Sequence, residues 1–198
     1  MVEPRLSEKV FLDLVLAYSS AGRVYHTLNH IQQVLKTIEQ MRSLTLNLPT
    51  IQLAAWFHDV IYDSITKDNE EKSAEYAEVV LNSLKIPKTI IAQVKNLILY
   101  TKTHQAPAAD IDSQILLDAD LAIFGSTESE YRDYAHAIRQ EYSWVSDAEY
   151  RFRRKQVLQN FLQRKKIYLT QYLFVKLEEK ARQNLHAEIA NLSIQSKP

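Results

Sequence analysis

Cysteine is absent from the 198 residues. That removes disulfides, thiolate zinc sites, iron–sulfur clusters and a cysteine nucleophile together. Glycine occurs only as Gly22 and Gly125, and proline five times. So little glycine argues against sheets joined by tight turns, and neither Gly stands in a Gly-rich phosphate loop. Net charge is also missing, with 24 Lys and Arg against 24 Asp and Glu. The chain therefore lacks the cation excess that drives binding to nucleic acid polymers or anionic membranes. No apolar run approaches the ~20 residues that span a bilayer. Met1 to Asp13 lack the basic-then-apolar pattern of a secretory signal, so a cytoplasmic protein is expected.

What is present is helical periodicity. Leu6, Val10, Phe11, Leu14 and Tyr18 recur every three or four residues, as do Ile31, Val34, Leu35 and Ile38. Pro49 precedes an almost wholly apolar segment, Ile51 to Ile61, which reads as a buried central helix. Asp68 with Glu71, Thr127 with Glu130 and Ser146 with Glu149 have capping-box spacing, and Pro87 suits a first helical turn. Leu116 to Phe124 reads as a helix closed by Gly125, and a last helix starts near Thr170. The expectation is all-α: one domain over residues 1–192, of eight or nine helices, with a flexible tail at 193–198.

Charged residues within this apolar pattern carry the chemistry. His30 opens the stripe of its helix, His58 and Asp59 lie inside the apolar segment, and Asp120 shares a face with Leu116 and Phe124. A buried carboxylate costs several kcal/mol unless a cation or strong donors compensate it. Taken singly, a core histidine is most simply hydrogen-bonded and a buried aspartate most simply caps a helix or pairs with Arg. Two of each on apolar faces are explained together by one divalent cation, with imidazole and carboxylate ligands suiting Mn, Fe, Co, Ni or Zn. Asp118 points about 200° from Asp120 on a regular helix. Asp120 is therefore read as the ligand, and Asp118 as support behind it or as a helix-pairing group.

The ordered set His30, His58-Asp59, Asp120 resembles the H…HD…D signature of the HD-domain metal-dependent phosphohydrolases. More narrowly, the chain resembles the small bacterial subfamily of predicted HD phosphohydrolases. The resembling blocks run from Arg23 to His30, Ala54 to Asp63, Asp68 to Ala74, Leu117 to Gly125 and Ala181 to Leu185. The resemblance implies an ion (Mn, Fe, Co, Ni, Zn or Mg) held by His30, His58, Asp59 and Asp120. It also implies hydrolysis of a small phosphorylated compound, nucleotides among the candidates, by metal-activated water.

Other roles are assigned around that centre. Arg23 can clamp a phosphate or pair with a carboxylate, and His26 can face substrate if its helix starts early enough. Lys102 and His104 are candidate phosphate contacts. In the (p)ppGpp-hydrolase-like and nucleotidase-like HD domains that the chain resembles, a Glu typically stands four residues after the motif His, where this chain has Tyr62. Asp63 or Glu70 is then the candidate general acid/base. His136 and His186 read as structural. Two alternatives stay open: a catalytically weak HD-type nucleotide-binding sensor, and a di-iron HD-type oxygenase that would recruit His104.

Overall fold

The computed structural model describes residues 4–194, and every regular element among them is helical. In chain order these are α1 (Pro4–Tyr18), α2 (Leu28–Gln40), a 3₁₀ turn (Arg42–Leu44), α3 (Leu48–Phe57) and α4 (Asn69–Ser83). They continue with α5 (Lys88–Thr101), α6 (Ile111–Asp120), a 3₁₀ segment (Leu121–Gly125), α7 (Glu128–Glu141), α8 (Asp147–Leu162) and α9 (Gln171–Ile194). The helices form two compact units: one ends with Ala119, and the other begins with Asp120, the last residue of α6. Among the described residues no helix is long and apolar enough to cross a membrane.

In the first unit α3 is the centre, packed against α2, α4 and α5. Ile51, Ala54, Ala55 and Phe57 are all buried, and the small alanines let neighbouring helices approach closely. Asn47 caps α3 by accepting the Thr50 N–H, and Pro49 sits in the first turn, where its missing N–H costs nothing. The loop entering α3 is pinned by Asp112 of α6, whose two oxygens accept the Leu46 and Asn47 N–H groups at 2.7 and 2.9 Å.

Four local expectations are corrected, the second and its neighbour at Pro87 together. First, α3 ends at Phe57 and not near Ile61. The Arg23 guanidinium takes the Asp59 and Val60 carbonyls, which a continuing helix would have used for its own ladder. Second, Asp68 is the N-cap residue of α4, but its side chain caps nothing. It pairs with Lys72, while Glu71 pairs with Lys102, so no capping box forms there. Pro87 likewise takes the N-cap position of α5, one residue before the helix. Third, the α-helix through Leu116 starts earlier, at Ile111, and tightens into 3₁₀ geometry after Asp120.

The second unit packs the 3₁₀ segment and α8 onto α9. The Tyr168 hydroxyl donates to the Leu121 carbonyl, and the Asn184 amide donates to the Phe124 and Ser126 carbonyls. Glu178 accepts the Ile167 and Tyr168 N–H groups and an Arg182 bond, tying off the loop before α9. Thr127 and Glu130 form the expected capping box, and Ser146 accepts the Glu149 N–H at the start of α8. The last helix continues to Ile194, so Ser193 and Ile194 extend it; the rest of the expected tail lies outside the described residues.

Gly125 is not in the left-handed conformation expected of a helix-closing glycine. It is required by proximity, because a Cβ there would stand 2.5 Å from Leu177 Cβ and 3.0 Å from the Leu177 carbonyl oxygen. Gly125→Ala is expected to lower stability by about 1–3 kcal/mol through overpacking, read as a fall in thermal midpoint. An unchanged or raised midpoint would contradict this close approach, since alanine is otherwise the better helix former.

Candidate metal centre

His30 stands in the first turn of α2 and is buried; His58 is the residue just past α3 and is also buried. The His58 Nδ1–H donates to the Ala55 carbonyl at 2.9 Å, since a carbonyl can only accept. In neutral His58 the lone pair is therefore on Nε2, which lies 3.3 Å from His30 Nε2. Asp120 arrives from the end of α6. One ligand atom from each of His30, His58 and Asp120 lies within 4.8 Å of the other two. These three residues can hold a metal ion.

Asp59 adds a carboxylate. Its Oδ2 is 3.1 Å from His58 Nε2 and 3.7 Å from His30 Nε2. An imidazole lone pair and a carboxylate oxygen at 3.1 Å repel unless a proton or a cation lies between them. Orientation of His58 through its other ring nitrogen is the support that metal-ligating histidines generally have. The donor set of imidazole nitrogen and carboxylate oxygen fits a divalent transition metal.

His26 precedes α2, which begins at Leu28, so it does not share His30's helix face. It reaches the same place from the loop. Its Nε2 is 4.0 Å from Asp59 Oδ2, and its ring stacks on Tyr62 with centroids 4.2 Å apart. His26 is 19% exposed, against 2% and 1% for the side chains of His30 and His58, so it stands at the open edge of the cluster. In the sequence Tyr62 shows only that the usual Glu is absent; its stacking on His26 has no signature there.

Arg23, read as a phosphate clamp or a carboxylate partner, is engaged with main-chain carbonyls. Its Nη1 donates to the His26 and Asp59 carbonyls at 3.0 and 2.8 Å, its Nη2 to the Val60 carbonyl at 2.8 Å, and its Nε to Ser20 Oγ. The guanidinium carbon also lies 5.0 Å from the Tyr18 ring centroid and 5.4 Å from that of Tyr62. Arg23 thus holds together the two loops that carry His26 and Asp59.

The remaining expected residues lie in other settings. Asp63 is exposed, its Oδ1 accepts the Ile65 N–H at 2.8 Å, and its carbonyl accepts from Thr66 and Asn69, so it closes a turn. Lys102 is committed to Glu71, to the Lys67 carbonyl and, at 3.9 Å, to Glu70. The Glu71 hydrogen bond holds the Lys102 ammonium above the usual amine range. Glu70 and Lys102, expected as base and phosphate contact, therefore belong to a clasp between α4 and the end of α5. His104 ends that helix region in a left-handed conformation, φ +48°, and is not among the three clustered groups. Asp118 is buried on α6 and likewise not among them, as the helical offset from Asp120 requires.

The chain matches no family model, no curated protein and no solved structure among those it was compared with.

Proposed function

We propose that this chain is an HD-type, metal-dependent phosphohydrolase acting on a small phosphorylated compound. The observation that carries the reading is the convergence of His30, His58 and Asp120, with Asp59 Oδ2 beside both imidazoles. In this reading the four side chains hold one divalent ion. A bound ion would supply Lewis acidity and an activated water for in-line attack at phosphorus. Two neutral imidazoles and two carboxylates would leave the loaded centre near neutrality, so an anionic substrate is not repelled. His26, at the open edge, would donate a hydrogen bond to a phosphoryl oxygen. Arg23 would fix the main chain under Asp59 and thereby the angle at which its carboxylate meets the ion.

The test is phosphate release from nucleoside phosphates and phosphosugars by protein loaded in turn with Mn, Co, Ni, Zn or Mg. Metal-dependent turnover is expected, abolished in His58→Ala. Stoichiometric metal binding without release from any compound would favour the sensor reading. Two iron atoms per chain with oxygen consumption would favour the oxygenase.

A further inference from the structure

Between Glu149 and Glu178 the chain carries eight cations and no carboxylate, so its overall neutrality hides a local imbalance. Half of these cations are engaged. Arg154 is buried against Glu188, Arg153 pairs with Glu149, Arg151 acts on Asp147, and Lys176 donates to the Tyr172 hydroxyl. The others are Lys155, midway along α8, and Arg164, Lys165 and Lys166 in the loop after it. The side chains of Lys155, Lys165 and Lys166 make no hydrogen bond or ion pair with a described residue.

The loop holds its charges on a fixed frame. Arg182 donates to the Leu162 and Arg164 carbonyls, and Glu178 accepts the Ile167 and Tyr168 N–H groups. The Arg164 guanidinium carbon lies 4.4 Å from the Phe161 ring centroid, and the Lys166 ammonium 4.4 Å from that of Phe174. Three successive positions span only about 7 Å, so their cations repel one another unless an anion lies over them. The exposed face of α8 that leads to this loop is a second, independent feature. Phe152, Gln156, Asn160 and Gln163 recur on it every three or four residues, a ring 60% exposed followed by neutral amides. Arg153 and Val157 stand at its edge, and no carboxylate follows Glu149.

We infer that α8 and this loop bind a single strand of nucleic acid, with phosphates on Lys155, Lys165 and Lys166 and one base stacked on Phe152. The surface lies wholly in the second unit and does not rest on the reading of the metal centre. A strand suits it better than a bilayer does. Acyl chains offer nothing to a row of amides, whereas bases, sugars and phosphates all hydrogen-bond with them. The strand must be single for a base face to reach an aromatic ring. α8 has 16 residues and is about 24 Å long, room for a few nucleotides. Net neutrality does not oppose such binding, because the electrostatic gain comes from the phosphates contacted and not from the total charge.

Fluorescence anisotropy of labelled oligo(U) and oligo(dT), each about 12 nucleotides long, tests this with the full chain in EDTA. Saturable binding is expected at about 50 mM salt, and the tighter of the two strands shows whether the 2′-hydroxyl contributes. Log affinity should fall against log salt with a slope of about −2, the value for three phosphates of a single strand. Lys155→Gln/Lys165→Gln/Lys166→Gln should weaken binding by about tenfold or more and flatten that slope. Lys36→Gln/Lys85→Gln/Lys88→Gln makes the same charge change on exposed lysines of the first unit and should leave binding as it is. Phe152→Ala should weaken binding by about fivefold or more at an unchanged slope, because stacking releases no counterions. The inference is overturned if neither strand binds at about 100 μM protein. It is equally overturned if the first-unit variant weakens binding as much as the loop variant, or if Phe152→Ala binds as the wild type does. Capture of the chain by phosphatidylserine vesicles, with no binding of either strand, would overturn it in favour of a membrane surface.

Discussion

His58→Ala is expected to lose bound metal almost entirely, falling below about a tenth of an ion per chain where the wild type keeps about one. The measurement is elemental analysis after incubation with Mn, Co, Ni or Zn and desalting. His58 is at the centre of the cluster, 3.3 Å from His30 Nε2 and 3.1 Å from Asp59 Oδ2. Altering a group that merely orients a ligand costs about 10–100-fold in affinity, and removing the ligand should cost more. Metal binding that favours the folded state adds about 2.7 kcal/mol when free metal is a hundred times Kd. The wild-type thermal midpoint should therefore rise with added metal, and that of His58→Ala should not respond. Asp120→Asn keeps shape but not charge and should also lose most of the ion. Asp118→Asn, two residues along the same helix, should keep it. Retention by His58→Ala, or loss in Asp118→Asn with retention in Asp120→Asn, would defeat the ligand assignment.

The part of this centre that was legible in the sequence is the part that periodicity controls. His30, four residues before Val34, and Asp120, four after Leu116, are placed by helical repeat alone, and both helices run through those positions. His58 was legible for a different reason: it sits in a run so apolar that its burial was assured whether or not the helix continued. Where the chain leaves the helix, periodicity says nothing. Asp63, which with Glu70 is a candidate base, lies one place beyond a familiar spacing, but that spacing presumes a helix, and α3 has already ended at Phe57 where Asp63 closes a turn. Arg23 illustrates the same limit. A sequence shows which carboxylates an arginine can meet, but its partners here include three main-chain carbonyls, and every residue offers one of those.

The helical class followed from scarcity of glycine, and the caps divided according to their competitors. Thr127 and Glu130 have no stronger partner nearby and form the box that their spacing announces. At α4 a lysine from the end of α5 takes Glu71, and Lys72 takes Asp68, so long-range and i,i+4 pairing override an equally good local signal. Gly125 was legible as a required glycine but not in its reason. The requirement is the approach of Leu177, 52 positions away in the chain, which local turn chemistry cannot reveal. Arg182 and Asn184, in the last of the blocks that carry the family resemblance, prove to be structural bolts. The first reaches the Leu162 and Arg164 carbonyls, and the second the Phe124 and Ser126 carbonyls.

The largest stability effect is expected at Arg154 and Glu188, where a buried ion pair joins three helices. Arg154 donates from Nε to Glu188 Oε1 at 2.8 Å and from Nη2 to Oε2 at 3.1 Å, and Nη2 also meets the Tyr134 hydroxyl at 3.2 Å. The Tyr131 hydroxyl donates to Glu188 Oε2 at 2.5 Å. Burial pushes both phenols above their ordinary value, so each remains a neutral donor across the working pH range. Both charged residues are 9% exposed. Arg154→Met leaves the Glu188 carboxylate with Tyr131 for compensation, and Glu188→Leu leaves a buried guanidinium without its anion. Each is expected to cost about 3–5 kcal/mol, because the desolvation penalty stays after the Coulombic gain is gone. The double variant Arg154→Met/Glu188→Leu removes both charges together and should cost far less than the sum of the two single changes. Urea unfolding of the four proteins gives the coupling directly from the shifts in midpoint. Additive costs would mean that the two charges are solvated independently, and the account of a mutually compensated pair in the interior of this unit would then fail.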